Sequence, residues 1–237
     1  MSGGRARYAV YFAPDRGSPL AEFGAAWLGY DADSGHTAPQ PALPALAADR
    51  LHAITAEPRH YGFHATLKPP FVLAGGDEEA ALRSSLAALA AELRPFAAPP
   101  LKLTRLSGFL ALTPSAPSPD LERLAAHCVR EFDRFRAPAA PAEIERRRRV
   151  GLSPRQEELL TRWGYPYVMD QFRFHLTLTG RLDPDEGAGV CRLLAPMVAP
   201  LCQAPLPVTA LTLFNHDGTD APFRIIGRYP FGGTLSG

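Results

Sequence analysis

The phrase Phe-His-x-Thr-Leu occurs twice in this chain, as Phe63-His64-Ala65-Thr66-Leu67 and as Phe174-His175-Leu176-Thr177-Leu178. Side chains alternate between the two faces of an extended strand. Each copy therefore predicts a one-sided strand, with Phe, Ala or Leu toward a core and an imidazole plus a hydroxyl toward a groove. Histidine titrates near neutrality, so of two facing imidazoles a neutral one can take a proton while a protonated one gives it. Phosphodiester cleavage needs both transfers, on opposite sides of phosphorus. Threonine hydroxyls on the same faces can donate to non-bridging phosphate oxygens as charge builds there. A lone His-x-Thr is an ordinary surface or hydrogen-bonded pair. Two copies in matched contexts predict one shared site, with His64 and His175 moving protons and Thr66 and Thr177 holding phosphate.

Period two extends both arrays. Lys68 follows Thr66 on its face, and the second strand presents Arg173, His175, Thr177 and Thr179 together, where the planar fork of arginine suits phosphate oxygens. Tyr11 on the opening strand, and Tyr165 and Tyr167 just before the second motif, are candidates to stack on or hydrogen-bond a sugar. Arg136 is a further phosphate candidate. The run Glu145-Arg146-Arg147-Arg148-Arg149 reads as a solvated face or loop in preference to a gate for a polyanion. His36, His52, His60, His127 and His216 lack the His-x-Thr context and read as surface or structural residues. There is no HExxH, no Walker lysine loop, no GxSxG elbow and no GxGxxG after a strand. The expectation is a site with no metal and no cofactor.

The elements that must position these groups follow from capping and periodicity. Arg7 to Phe12 reads as a strand, and Ser18-Pro19 caps a helix carrying Leu20, Phe23, Trp27 and Leu28 up to Gly29. Residues 31–56 read as a long loop, and the first histidine strand spans about 61–68, closed by Pro69-Pro70. Asp77-Glu78-Glu79 opens a helix with Leu82, Leu86, Leu89 and Leu93 on one stripe. Leu101 to Thr113 gives one or two strands bent at Ser107-Gly108, and Ser118-Pro119 starts a helix burying Leu121, Leu124, Cys128, Phe132 and Phe135. Residues 137–151 read as a linker. Ser153-Pro154-Arg155-Gln156 is a capping box for a helix ending near Gly164, and the second histidine strand spans about 171–179. Asp183-Pro184 caps a helix that Pro196 ends or kinks, and two strands around a polar turn close the chain.

The order of histidine strand, capped helix and strands recurs in both halves. That predicts an α+β fold: a bilobal duplicated unit in which two small, largely antiparallel sheets face a central groove with helices outside. The whole chain, residues 1–237, reads as a single bilobal domain with approximate lobes 1–136 and 137–237, and strands are free to cross between lobes.

Composition bounds the partners. A length of 237 residues with 46% hydrophobic content supports a sizeable core, and 25 basic against 24 acidic residues gives no global argument for nucleic acid or a membrane surface. The expected partner is a small phosphorylated substrate rather than long nucleic acid, with the oligomeric state open. Cys128, Cys191 and Cys202 form no CxxC and cannot all pair, which suits small buried thiols in a reducing compartment. No apolar run reaches the roughly 20 residues of a membrane span, and the stretch after Met1 to Arg7 is not a signal-peptide core. A cytoplasmic protein with no membrane contact is the expectation.

Several segments together resemble a known family. These are Arg7 to Pro14, Tyr61-Gly62-Phe63-His64-Ala65-Thr66-Leu67-Lys68, Gly108-Phe109-Leu110-Ala111-Leu112, Phe135-Arg136-Ala137-Pro138, Trp163-Gly164-Tyr165-Pro166-Tyr167 and Phe172 to Gly180. They resemble the 2H phosphoesterase superfamily, in the branch associated with phosphonate-utilisation operons, over nearly the whole chain. The resemblance implies a bilobal fold of the 2′,5′ RNA ligase-like type. It also implies metal-independent hydrolysis or transfer at a cyclic or 2′,5′-linked phosphodiester, with His64 and His175 as the acid/base pair and Thr66 and Thr177 on the phosphate. The operon association suggests a cyclic ribose phosphate from phosphonate breakdown as substrate. Two alternatives stay open: an RNA-directed 2′,3′-cyclic phosphodiesterase or 2′,5′ ligase, and a non-catalytic module that binds a phosphorylated ligand or an RNA end.

Overall fold

The computed structural model describes residues 5–75 and 78–233. Strand β1 (Arg7–Phe12) leads into helix α1 (Pro19–Leu28), where the Ser18 hydroxyl accepts from the Ala21 amide, Pro19 opens the first turn and Gly29 closes the helix. Residues 31–56, expected as a loop, are partly regular. A hairpin of β2 (Tyr30–Asp31) and β3 (His36–Thr37) precedes α2 (Ala48–Ile54) and α3 (Ala56–Tyr61). Leu51 and Ile54 bury one side of α2, a stripe of two apolar residues without a capping side chain, too short to stand out from the alanine-rich background.

The first histidine strand also starts later than expected. Gly62 ends α3, and β4 (Ala65–Phe71) begins after His64 and runs through Pro69 and Pro70 instead of stopping at them. At the edge of its sheet β4 has one neighbour, β1, so amides missing from its outer side break no ladder. Helix α4 (Glu79–Glu92) buries Leu82, Leu86 and Leu89 behind Glu78 at its cap; Asp77, expected in its first turn, lies outside the described residues. Strands β5 (Phe96–Ala98), β6 (Leu101–Leu106) and β7 (Phe109–Pro114) follow, the last two joined at Ser107-Gly108, where both residues take positive φ as a tight hairpin turn requires.

Helix α5 (Pro119–Glu131) and the 3-10 turn Phe132–Phe135 bury the five predicted residues Leu121, Leu124, Cys128, Phe132 and Phe135. The expected linker after it is in part a helix, α6 (Pro141–Arg148), which buries no residue. Its order comes from Pro141 in the first turn and from Glu143 paired with Arg147 one turn on, so charge rather than an apolar stripe carries it. Helix α7 (Pro154–Trp163) has the predicted capping box with Ser153 and Gln156 bonded reciprocally. The second histidine strand shrinks to β8 (Leu176–Thr177), because residues 169–171 form a 3-10 turn. Helix α8 (Pro184–Val198), capped by Asp183, continues past Pro196 and buries Leu194 and Val198 around it, so burial overrides the stop. The chain closes with β9 (Leu206–Val208), β10 (Ala210–His216) and β11 (Arg224–Pro230).

The fold is α+β with small antiparallel sheets. One sheet has the order β11-β10-β1-β4, another β6-β7-β8, and β5 pairs with β9. These sheets do not follow a division at residue 136. The first histidine motif sits in a sheet with the last two strands of the chain, and the second in a sheet with strands from before residue 136. One core runs through both. Phe12 meets Phe174 at 5.4 Å between ring centroids, and the fully buried Trp27 indole donates to the Leu178 carbonyl at 2.8 Å. Among the described residues no helix is long and apolar enough to cross a membrane. Cys128 is buried as expected, whereas Cys191 and Cys202 are only half-buried; all three are free thiols.

Candidate active site

Gly62 sets the first motif. Its φ of 74° is open to glycine at no steric cost, and a Cβ there would lie 2.8 Å from the Ala32 Cβ. That turn aims the Gly62 carbonyl back at His64 Nδ1, 2.9 Å away. A carbonyl can only accept, so Nδ1 carries the proton and donates, leaving Nε2 of a neutral ring with its lone pair. Nε2 lies 3.3 Å from the Thr66 hydroxyl. Phe63, Ala65 and Leu67 are buried behind this face, as the alternation predicted.

The second motif repeats the device: His175 Nδ1 donates to the Arg173 carbonyl at 2.8 Å. Behind it Phe174, Leu176 and Leu178 are buried. The strand registers match too, since Thr66 pairs with Tyr11 of β1 while Thr177 pairs with Ala111 of β7. That pairing marks the difference between the halves. The Tyr11 ring stacks on His64 at 3.8 Å with planes 21° apart, and Phe214 packs beside both rings, 4.9 Å from Tyr11 and 6.0 Å from His64. His175 has a looser aromatic neighbour, Phe109 at 5.7 Å.

Electrostatics follow the packing. Burial holds the His64 imidazole down at about 4, against the Gly62 carbonyl, and charge on His175 lowers it further. Burial also lowers His175, opposed by the Arg173 carbonyl. Both rings, with Thr66 and Thr177, line one cleft of about 460 Å³. Desolvation puts the Tyr11 phenol well above its ordinary range, so it stays neutral beside His64.

Of the other predicted residues, Tyr11, Tyr165 and Tyr167 line this cleft. Thr179 touches it but is fully buried, its hydroxyl accepting from the Leu110 amide at 3.0 Å, so it fastens the motif to β7. Three expectations are corrected. Lys68 is buried away from the cleft, its ammonium 3.2 Å from the Asp133 carboxylate and 3.3 Å from the Val129 carbonyl, because the register of β4 against β1 shifts around Val10 and breaks the alternation. Arg136 also pairs with Asp133, at 2.8 Å, and packs against Gly164. Arg173 lines a different surface pocket, with Lys102 and Ser118, since the chain before Leu176 is not a strand.

The structure adds residues that the sequence reading did not select. Arg7, Tyr61 and Arg181 line the cleft; Arg7 precedes Tyr11 by four residues on β1, so period two carried a signal for it, whereas Arg181 lies beyond the end of β8. Arg146 and Arg147, read as a solvated face or loop, also line it from α6. The Arg147 guanidinium lies 4.7 Å from the Tyr165 ring centroid.

Residues 66–224 match the model of a family described as "Protein of unknown function (DUF1045)". The chain is 38% identical over 231 residues to a "Ribose 1,5-bisphosphate phosphokinase PhnN" of Janthinobacterium sp. (strain Marseille), covering 96% of this chain and 51% of that protein. It is 40% identical over 221 residues to a protein of the same name from Laribacter hongkongensis (strain HLHK9), covering 92% of this chain and 50% of that one. The chain thus spans about half the length of these relatives. Among solved structures, E. coli LigT complexed with 3′-AMP aligns over 96% of this chain and 99% of its own, with 15% identity and a TM-score of 0.42.

Proposed function

Since the chain belongs to the DUF1045 family, whose function is unknown, we propose its activity from the cleft itself: hydrolysis of a small cyclic phosphodiester by the paired imidazoles, in the manner of a 2H phosphoesterase. The observation that carries the proposal is the twofold repeat of one device. Each histidine is fixed through Nδ1 by a backbone carbonyl two residues upstream, which leaves Nε2 as the proton-accepting nitrogen, and each has a threonine two residues on at the cleft, the Thr66 hydroxyl lying 3.3 Å from His64 Nε2.

In this reading His64, the ring more strongly kept neutral, removes a proton from water through Nε2. The water oxygen bonds to phosphorus, the ester bond opposite breaks, and protonated His175 gives its proton to the departing alkoxide. The products are a phosphomonoester with a free hydroxyl, and a proton passes from His64 back to His175 to close the cycle. Thr66 and Thr177 donate to the non-bridging oxygens, whose charge rises as the water adds. The residues doing this chemistry are imidazoles and hydroxyls, so the reaction needs no metal ion. Tyr61, Tyr165 and Tyr167 supply the wall against which a sugar would lie.

A cyclic ribose phosphate is the substrate proposed, on the resemblance to the phosphonate-operon branch and on the ribose bisphosphate in the names of the half-matching relatives. The kinase activity in those names belongs to proteins twice as long, and this chain carries no Walker lysine loop to cradle a nucleotide triphosphate. The reading is tested by assaying ribose cyclic phosphates and 2′,3′-cyclic nucleotides in excess EDTA. Turnover lost in both His64→Ala and His175→Ala supports it. An inactive wild type, activity abolished by EDTA, or variants as active as the parent would overturn it, and tight binding without product would make the cleft a binding module.

A further inference from the structure

Among the described residues four arginines line the cleft, Arg7, Arg146, Arg147 and Arg181, against one acidic residue, Glu57. Among the described residues, Arg7, Arg146 and Arg181 have no side-chain hydrogen bond or ion pair; Arg7 only lies over the Phe223 ring at 5.4 Å. Arg147 gives one nitrogen to Glu143 at 2.5 Å, while its buried Nε has no partner. Like charges gathered in a concave site repel, and an unpartnered buried guanidinium nitrogen is costly unless a ligand meets it. A single diester anion does not answer this array. It carries one charge, and the proposed site already offers it two threonine hydroxyls and an imidazolium. A terminal phosphate carries close to two charges and three acceptor oxygens, which suits the planar fork of arginine.

Helix α6 is built for this role and for little else. None of its residues is fully buried, so it adds little to the core. Its outer face is tied to α7 by Arg148 and Glu157, while Arg146 and Arg147 reach the cleft. Arg147 sits on Tyr165, itself on the cleft wall with Tyr61 and the Tyr11 that stacks on His64.

We infer that the cleft has a second phosphate subsite formed by Arg146, Arg147 and Arg181, so that the substrate carries a phosphate group besides the one between the histidines. The inference deepens the phosphodiesterase reading and rests on it for the first phosphate. Its own test is a binding measurement that needs no turnover. Calorimetric titration of the full chain compares adenosine 2′,5′-bisphosphate with adenosine 2′-monophosphate. The bisphosphate is expected to bind at least tenfold more tightly, with a difference that shrinks as salt rises. Arg146→Gln with Arg181→Gln is expected to reduce that difference severalfold, Arg146→Lys with Arg181→Lys to keep part of it, and Arg148→Gln, whose side chain faces α7, to leave it intact. Circular dichroism confirms that the variants fold.

Equal affinities for the two ligands, or a preference unchanged in the double glutamine variant, would overturn the inference. The hydrolysis assay stands apart. If adenosine 2′,3′-cyclic phosphate and its 5′-phosphorylated form are both inert while the preference and its loss are seen, the second subsite holds and the hydrolase reading fails.

Discussion

Each imidazole in the cleft is held by a carbonyl of its own chain two residues back, an arrangement in which the ring cannot be flipped without losing its only strong tether. What distinguishes the two is the tyrosine on His64, which excludes water from one face of that ring alone. The sign of the pH dependence follows. With His64 as base, activity in kcat/KM falls as pH drops through about 4, where its ring becomes protonated. With His175 as acid, activity falls as pH rises through its lowered value, below the ordinary 6.5. A profile of kcat/KM is therefore expected to peak on the acid side of neutrality. The kcat profile is expected to lie at higher pH, because a bound phosphate anion raises both imidazoles. An optimum in kcat/KM above pH 8 would contradict the assignment. The threonines act on charge that appears only during reaction, so Thr66→Val and Thr177→Val are each expected to lower kcat by about 100-fold with a smaller change in KM, read by steady-state kinetics. Of the candidate site, the four motif residues and the three tyrosines were legible from spacing and context. Lys68, Arg136 and Arg173 were misplaced because alternation was extended past a register shift or past the end of a strand, errors invisible without the pairing.

At the level of elements, capped and apolar-striped segments were legible and charge-held ones were not. Helices α1, α5, α7 and α8 announce themselves by Ser-Pro or Asp-Pro at their starts, and all four are present. Helices α2 and α6 have neither a side-chain cap nor a long apolar stripe, and both matter to the site. At the end of α2, the Ile54 carbonyl accepts from the Gly180 amide at 2.7 Å, fastening the segment after the second motif. Helix α1 supports the first motif through a close approach at Gly24, where a Cβ would fall 2.0 Å from the Phe63 ring. Phe63 is the neighbour of His64, so the packing of one helix sets the position of an acid/base group. Gly24→Ala is expected to destabilise the protein by about 1–3 kcal/mol through overpacking, outweighing the roughly 1 kcal/mol that alanine gains over glycine within a helix. Denaturant titration measures the loss. Displacement of the Phe63 backbone is also expected to lower kcat more than it raises KM; a variant as stable and as active as the parent would show that the ring can move aside freely.

At the scale of the whole molecule, the duplication read from the sequence sits in an interleaved topology. Strand β1 lies between β10 from the end of the chain and β4 from its first half, and β7 lies between β6 and the β8 that carries Thr177. Each half of the site is therefore completed by strands from the opposite half of the chain. Residues 1–136 alone lack β10, which covers one whole edge of β1, and lack the Leu178 carbonyl that receives the buried Trp27 indole. The exposed backbone of β1 and the uncovered apolar face around Trp27 and Phe12 leave that fragment without a closed core. Residues 137–237 alone keep the β10-β11 hairpin but lose β6 and β7, so Leu176 and Leu178 have no sheet to pack in. Neither fragment is expected to show the cooperative unfolding of the intact chain. Co-expressed, the two are expected to associate and regain the circular dichroism spectrum of the whole, and any hydrolytic activity, because every missing strand is present on the partner fragment. Cooperative folding of either fragment by itself, followed by thermal melting, would mean that the two sheets are independent and that the cleft between the histidines is a junction of separate domains rather than the product of one fold.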